Sequence, residues 1–280
     1  MRQYDETSLR KLAMIVYRGC WFAFFVVVAG GFVFGYGALW GWVPLGVAIA
    51  LQLWLNRKPA PGAGAGAGDA EAEALEVGPP VTGRWSALNS PADKVPSHGT
   101  RAYGQAYAID IVAEPEDRPR PRFGWWPLAR RNGDFPAFGA PVLAVADATV
   151  VRVVDRYRDH LSRNSWPALL YLIVEGLFRD MGGPGRIVGN HVVLDLGGGV
   201  HALYAHLRRG SITVREGERV RAGQTLASCG DSGNSSEPHV HFQLMDGPDL
   251  DTAHGLPFRW RGVGVPANGE VFSAEEPTRA

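Results

Sequence analysis

The chain has 280 residues, room for one sizeable domain with appendages, and its 28 basic and 28 acidic side chains cancel to a formal net charge of zero. With that balance and no basic cluster, no nucleic-acid partner is expected. Cys20 and Cys229 sit in unrelated surroundings outside any ligand motif, so neither a disulfide framework nor a thiolate metal site is expected.

The N-terminal region, residues 1–58, reads as a membrane anchor. No charged residue occurs from Gly19 to Leu55. A single helix over that run would be about 55 Å long at 1.5 Å per residue, against a hydrocarbon core of about 30 Å. A break at Gly35-Tyr36-Gly37 divides it into two predicted transmembrane helices, about 17–35 and 38–55, forming a hairpin in a multi-pass arrangement. The run is far longer than the roughly 7–15-residue apolar core of a secretory leader, which argues against a removed leader. Trp40, Trp42 and Trp54 suit the bilayer interfaces, making the lipid bilayer an expected partner. Arg10, Lys11 and Arg18 flank one end and Arg57 and Lys58 the other, so the positive-inside rule places both ends in the cytoplasm. Residues 59–80, Pro/Gly/Ala-rich and then acidic at Asp69-Ala70-Glu71-Ala72-Glu73, read as a flexible linker that leaves the following domain free to orient.

From residue 81 onward the pattern changes to short Val-, Ile- and Leu-rich runs between Gly and Pro. Pro141–Val145, Thr149–Asp155, His191–Leu196, His201–Leu207 and Val240–Leu244 predict a mainly β, antiparallel domain over 81–280 with its core at about 97–246. The segment 156–188 interrupts it and predicts one inserted helix starting near Ser165-Trp166-Pro167 and ending at Met181-Gly182. Its apolar run is too short to span a bilayer. It is expected to pack on the flank of the barrel, with a lid or a membrane-touching surface as the sharper alternatives. The rhythm around Val214–Leu226 also suits biotinyl and lipoyl carriers. Those need an exposed Lys on a hairpin tip, and this region has none.

Pro238-His239-Val240-His241-Phe242 carries the chemistry. On a strand His239 and His241 share one face while Val240, Phe242 and Leu244 share the other, so two imidazoles stand side by side over an apolar stripe. Alone, this pair is more often a surface feature than a metal site. Upstream, Asp110 lies on a short strand opposite Ile109 and Ile111, and His98 precedes it in a Gly-containing loop. Together with the H-x-H pair they supply donors for a zinc ion with an imidazole to spare.

These residues, with Gly189-Asn190-His191-Val192-Val193, Tyr204-Ala205-His206-Leu207, Val214–Gln224 and Gly230–Phe242, resemble in order and register the lysostaphin/LytM-type zinc peptidases of bacterial cell walls. The resemblance runs from about Ser97 to Asp246. It implies the half-barrel sheet of that family, a duplicated hybrid motif, a Zn2+ cofactor and a peptidoglycan peptide substrate. It implies His98, Asp110 and His241 as zinc ligands, with His239 as general base and His206 as oxyanion-stabilising donor, two roles that can be exchanged. The spacing from His98 to Asp110 is longer than the compact His-x-x-x-Asp of the family's best-known members. The expected protein is a membrane-anchored zinc metalloendopeptidase with an extracytoplasmic domain. The alternative is a catalytically silent binding or activator module.

The other histidines are expected to be structural (His191) or solvated (His201, His160 and His254), and Asp195 and Glu237 to be exposed carboxylates.

Overall fold

Two apolar helices precede the strands in the structure, a computed structural model that describes residues 2–57 and 74–275. Residues 58–73, most of the expected linker, lie outside the described residues, as do 276–280. Helix α1 covers Arg2–Phe34 and α2 covers Trp42–Leu55, joined through a short 3-10 turn at Ala38–Gly41. The break falls at Gly35, whose φ of 72° no L side chain adopts readily.

The two expected spans are corrected in length. Helix α1 starts at Arg2 rather than near residue 17, because its polar first half packs on the domain, burying Met14 and Tyr17. Within it Glu6–Phe34 is long and apolar enough to cross a membrane, by length and composition. The second apolar stretch, Leu39–Leu55, is shorter than the ~20 residues a crossing takes.

The strands are β1 Leu75–Val77, β2 Gly83–Leu88, β3 Ile109–Ala113, β4 Pro141–Leu143 and β5 Ala148–Val154. Helices α3, Trp166–Met181, and α4, Pro184–Val188, follow. After them come β6 His191–Gly197, β7 Val200–Ala205, β8 Arg219–Val220, β9 Thr225–Ser228, β10 Val240–Met245, β11 Gly255–Leu256, β12 Phe258–Trp260 and β13 Val271–Ala274. The main sheet runs β13-β2-β3-β10-β7-β6-β5-β8, antiparallel throughout, with β11 on the end of β10. Strands β4 and β9 pair separately across one face. The domain is thus mainly β and antiparallel. The exception is β1, inside the expected linker, which pairs in parallel with β12 and fastens the segment to the domain.

Alternation along the strands gives the sheet two different faces. Ile109, Ile111, Tyr204, Val240, Phe242 and Leu244 form the main core, closed by Val142 and Leu226 of the β4–β9 pair. The opposite face carries Val193, Leu203, Ala205 and Met245, and these pack with Met14 of α1 and Leu55 of α2. Polar contacts add to this seam. Arg18 pairs with Asp251 and with Asp180 at 3.7 Å, and Lys11 with Asp249 at 2.8 Å. Asn56 Oδ1 accepts from Thr100 Oγ1 and the Arg101 amide. A tether that leaves the domain free to turn is therefore corrected: both ends of the helical pair are docked against it.

Helix α3 begins where its sequence signals put it. Ser165 accepts a hydrogen bond from the Ala168 amide and Pro167 occupies the first turn, where its missing N–H is no loss. Towards the domain, Tyr103 Oη donates to Asp180. Only Leu172 is buried, and Phe178 stacks on Phe25 of α1 with ring centroids 5.0 Å apart.

Candidate metal centre

Three neighbouring strands bring the chemistry together. In β3–β10 pairing Asp110 lies directly opposite His241, and in β10–β7 pairing His241 lies opposite Ala205, the residue before His206. Directly opposed residues of an antiparallel pair have Cβ atoms about 5 Å apart, so the register alone holds carboxylate and imidazole at contact distance. His241 Nδ1 is 2.8 Å from Asp110 Oδ1. His239, two residues earlier on the same face, brings its Nε2 to 3.3 Å from that oxygen.

His98 arrives on a loop. Ser97 anchors the loop to the next strand, its amide donating to Ala106 O and its hydroxyl to Ala108 O at 2.6 Å. His98 Nε2 then stands 2.9 Å from Asp110 Oδ2. Gly104 is required here: φ is 72°, and a Cβ would lie 2.8 Å from Gln243 Nε2.

His206 is placed by a break in the rule that places the others. An unbroken strand would send it to the side of Ala202 and Tyr204, into the main core. Instead β7 ends at Ala205 and His206 takes φ 58°, a left-handed conformation uncommon outside glycine. The turn directs its ring to the face of His239 and His241, with centroids 4.7 and 5.7 Å away. Its amide donates to Val188 O and its carbonyl accepts from Gly230, so the strained residue is held on both sides. Close packing of Gly189 on Gly233, where a Cβ would meet backbone at 2.6 Å, sets the position of the neighbouring Ser232.

Carbonyl oxygens only accept, so the hydrogen bonds on the outer ring nitrogens decide where the protons are. His206 Nδ1 lies 2.7 Å from Ser232 O and His239 Nδ1 2.7 Å from Glu237 O, so each carries a proton there. Ser97 Oγ, already donating to a carbonyl, accepts from His98 Nδ1 at 3.0 Å. Gln243 Nε2 donates to Tyr103 O, which turns Oε1 towards His241 Nε2 at 2.9 Å and puts that ring's proton outside as well. When neutral, each of the four imidazoles therefore directs a lone pair into the cluster. His98 Nε2 and His241 Nδ1 then meet carboxylate oxygens lone pair to lone pair, an arrangement that needs a cation between them. A proton can serve, and so can a divalent metal.

Electrostatics accord with a cation site. Burial alone would raise the Asp110 carboxyl, but His98, His239 and hydrogen bonds from His239 and His241 hold it well below the usual carboxylate range. Asn89 Nδ2 adds a hydrogen bond to Oδ2 at 2.9 Å. Burial drives His206 well below the ordinary histidine range, and charge on its neighbours His239 and His241 adds to this. Burial also opposes charge on His239, yet the adjacent Asp110 carboxylate pushes it up to about 9.

Two sets of three donors have ligand atoms within 4.8 Å of one another, His98–Asp110–His241 and His206–His239–His241. Their donor sets differ in chemistry. The first supplies an anionic oxygen and two imidazoles, and its His98 side chain is 15% exposed, which gives access from solvent. The second has three imidazoles and no anionic donor, and is wholly buried.

All five expected residues thus lie in one cluster. Several bystanders are corrected. Glu237 is buried, not exposed, because Arg120 and Asn164 bond both its oxygens. His160 is not solvated, since it reaches Gly233 O and lies 3.5 Å from Asp231. His254 bonds Asp246 at 3.1 Å. His191 is buried and bonds its own turn at Gly189 O, a structural role.

Residue-by-residue reading missed Gln243 and Asn89. Gln243 had a signal, as the next residue on the face of His239 and His241. Asn89 had none, because it joins Asp110 only through β2–β3 pairing. Groups that orient a ligand ring contribute roughly 10–100-fold to metal affinity. Gln243→Leu is accordingly expected to weaken zinc binding by about that factor while leaving the fold intact, measured by competition with a chromogenic chelator.

Residues 174–252 match peptidase family M23. Over that stretch the chain is similar to the lysostaphin-type peptidases. The matched stretch includes His206, His239 and His241 and stops short of His98 and Asp110. Over 74 residues, 26% of this chain, it is 40% identical to the glycyl-glycine endopeptidase ALE-1 of Staphylococcus capitis, covering 18% of that protein. Over 57 residues, 20% of this chain, it is 35% identical to the peptidoglycan DD-endopeptidase ShyA of Vibrio cholerae, covering 13% of that protein. The chain therefore matches less than a fifth of the length of either relative. Among solved structures, the catalytic domain of lysostaphin from Staphylococcus simulans aligns over 48% of this chain and 85% of its own length, at 23% identity and a TM-score of 0.28.

Proposed function

We propose that this protein is a membrane-anchored zinc metalloendopeptidase that hydrolyses peptide bonds in peptidoglycan. The observation that carries the reading is the convergence of four imidazole lone pairs and the Asp110 carboxylate at one point of the sheet. In this reading His98, Asp110 and His241 hold Zn2+, the ligand set whose negative charge offsets part of the ion's. Zinc, when bound, supplies Lewis-acid polarisation of the scissile carbonyl and a water of lowered pKa.

The chain's own residues then divide the proton work. His206 keeps its proton on Nδ1 and offers a lone pair at Nε2, which suits it to accept the water proton. His239 likewise keeps a proton on Nδ1 and offers a lone pair at Nε2, so it can take that proton instead, and whichever ring is protonated then donates to the developing oxyanion and the leaving amine. The two roles therefore stay exchangeable between His206 and His239. Similarity to a glycyl-glycine endopeptidase and a peptidoglycan DD-endopeptidase supports a peptidoglycan substrate. A silent binding module has no observation in its favour, since the five positions are complete and in contact.

In this reading the charge-free part of α1 up to Phe34 enters the bilayer and anchors the chain, and α2, too short for a full crossing, leads the backbone back to the domain. Because Arg18 and Asn56 both dock on the domain, the N-terminus and the peptidase share one side of the bilayer, which a cell-wall substrate requires to be the outer one. The positive-inside rule favours the inner side, so one experiment decides. A protease site placed after Glu76 in the full chain is expected to be cut in intact spheroplasts. Cleavage only after lysis would remove assembled wall as the substrate. Digestion of purified peptidoglycan by the zinc-loaded full chain, abolished by chelation and restored by zinc, tests the activity independently of topology.

A further inference from the structure

Helix α3 belongs to no part of the catalytic cluster, yet it presents an apolar stripe to the outside. Leu170, Ile173 and Phe178 are 64%, 59% and 50% exposed, and Trp166 and Val174 stand with them. At 100° per residue these positions fall on one broad face. The helix's charges lie elsewhere: Glu175 pairs with Arg163 and Arg179, and Asp180 with Arg18. Aromatic side chains extend the stripe past the start of the helix. Phe123 meets Trp166 edge to face at 4.9 Å, and next to it Trp125 and Trp126 are 72% and 78% exposed. An apolar surface of this size is uncommon on a water-bathed face.

Its position says what covers it. Phe178 stacks on Phe25, which lies within the apolar stretch of α1 that the anchor reading puts in the membrane, and Asp180 meets Arg18 where that stretch loses its charges. The exposed side of α3 is therefore continuous with the lipid-facing side chains of α1, among them Phe22 and Val26. We infer that α3 and the 123–128 aromatic loop form an in-plane membrane-contact surface, seated in the boundary between headgroups and acyl chains beside the anchor. Amphipathic helices lie in that plane with the apolar face sunk about 5–10 Å, and tryptophan favours the same depth. The inference rests on the anchor reading and extends it from a tether to a fixed pose. Asn164, one residue before the helix cap, bonds Glu237, two residues before His239. A seated α3 thus holds the histidine strand at a set height over the bilayer, within reach of peptides carried close to the membrane surface.

The test uses the full chain with Cys20→Ala, reconstituted in phosphatidylcholine/phosphatidylglycerol vesicles. Nitroxide labels are placed singly through Leu170→Cys, Ile173→Cys, Val26→Cys and Glu216→Cys, with circular dichroism as the folding control. Relaxation by dissolved oxygen relative to a water-soluble nickel chelate is expected to be several-fold higher at 170 and 173 than at 216, and comparable to that at 26. An aqueous reading at 170 and 173 with a lipid reading at 26 overturns this surface and leaves the anchor standing. An aqueous reading at 26 overturns the anchor itself. Labels at 170 and 173 shielded from both reagents indicate a protein cover, such as a second copy, and also overturn the lipid assignment.

Discussion

Asp110→Ala protein is expected to purify without zinc and to release no peptidoglycan fragments. The carboxylate is the only anion among the five clustered residues and meets three of the four imidazoles, His98, His239 and His241. Its removal takes away one ligand and the charge that makes the others tolerate a dication. A protein zinc site is worth on the order of 10 kcal/mol or more, so losing one of three ligands weakens binding on the order of a thousandfold. Folding should survive, because β3 is held by pairing to β2 and β10 and by Ile109 and Ile111 in the main core. Asp110→Asn separates charge from volume: it fills the same space, and zinc content measured by atomic emission should be as low as in the alanine variant. Retention of stoichiometric zinc by Asp110→Asn would move the metal to the His206–His239–His241 set.

His206→Ala and His239→Ala are expected to behave in the opposite way, keeping zinc while turnover collapses. Neither belongs to the proposed ligand set, and each has its outer nitrogen bonded to a backbone carbonyl rather than to a ligand. General acid–base groups contribute roughly 10²–10⁴-fold, and an oxyanion donor about 10²–10³-fold. Residues that act in one proton-transfer cycle are not additive, so the double variant should be little slower than the worse single one. Zinc content and release of soluble peptide, measured on the same preparations, check both halves. If His206→Ala loses zinc in proportion to activity, its assignment as a proton acceptor fails.

Much of the centre was legible in residue order. His239 and His241 alternate with Val240 and Phe242, and Asp110 alternates with Ile109 and Ile111, because a pleated strand imposes a period of two on whatever it carries. The start of α3 was legible too, since a Ser cap and an early Pro act within one turn. Strand alternation alone does not account for His206, because one left-handed residue at the end of β7 reverses the side on which the ring emerges. Glu237 and His160 read as solvent-exposed for a related reason. Their partners, Arg120, Asn164 and Asp231, are distant in the chain or across a turn, and no local pattern announces them.

The anchor divides in the same way. Its apolar character and its break at Gly35 follow from composition and from glycine's freedom at positive φ. Its docking does not: Arg18 finds Asp180 and Asp251, and Met14 and Leu55 find Leu203 and Met245, only after the sheet has exposed its second face. Short-range periodicity and capping were enough to say which side chains share a strand face and where helices begin. Which faces meet and which apolar stripe is left outside depend on partners far apart in the chain, so only the assembled chain could decide them.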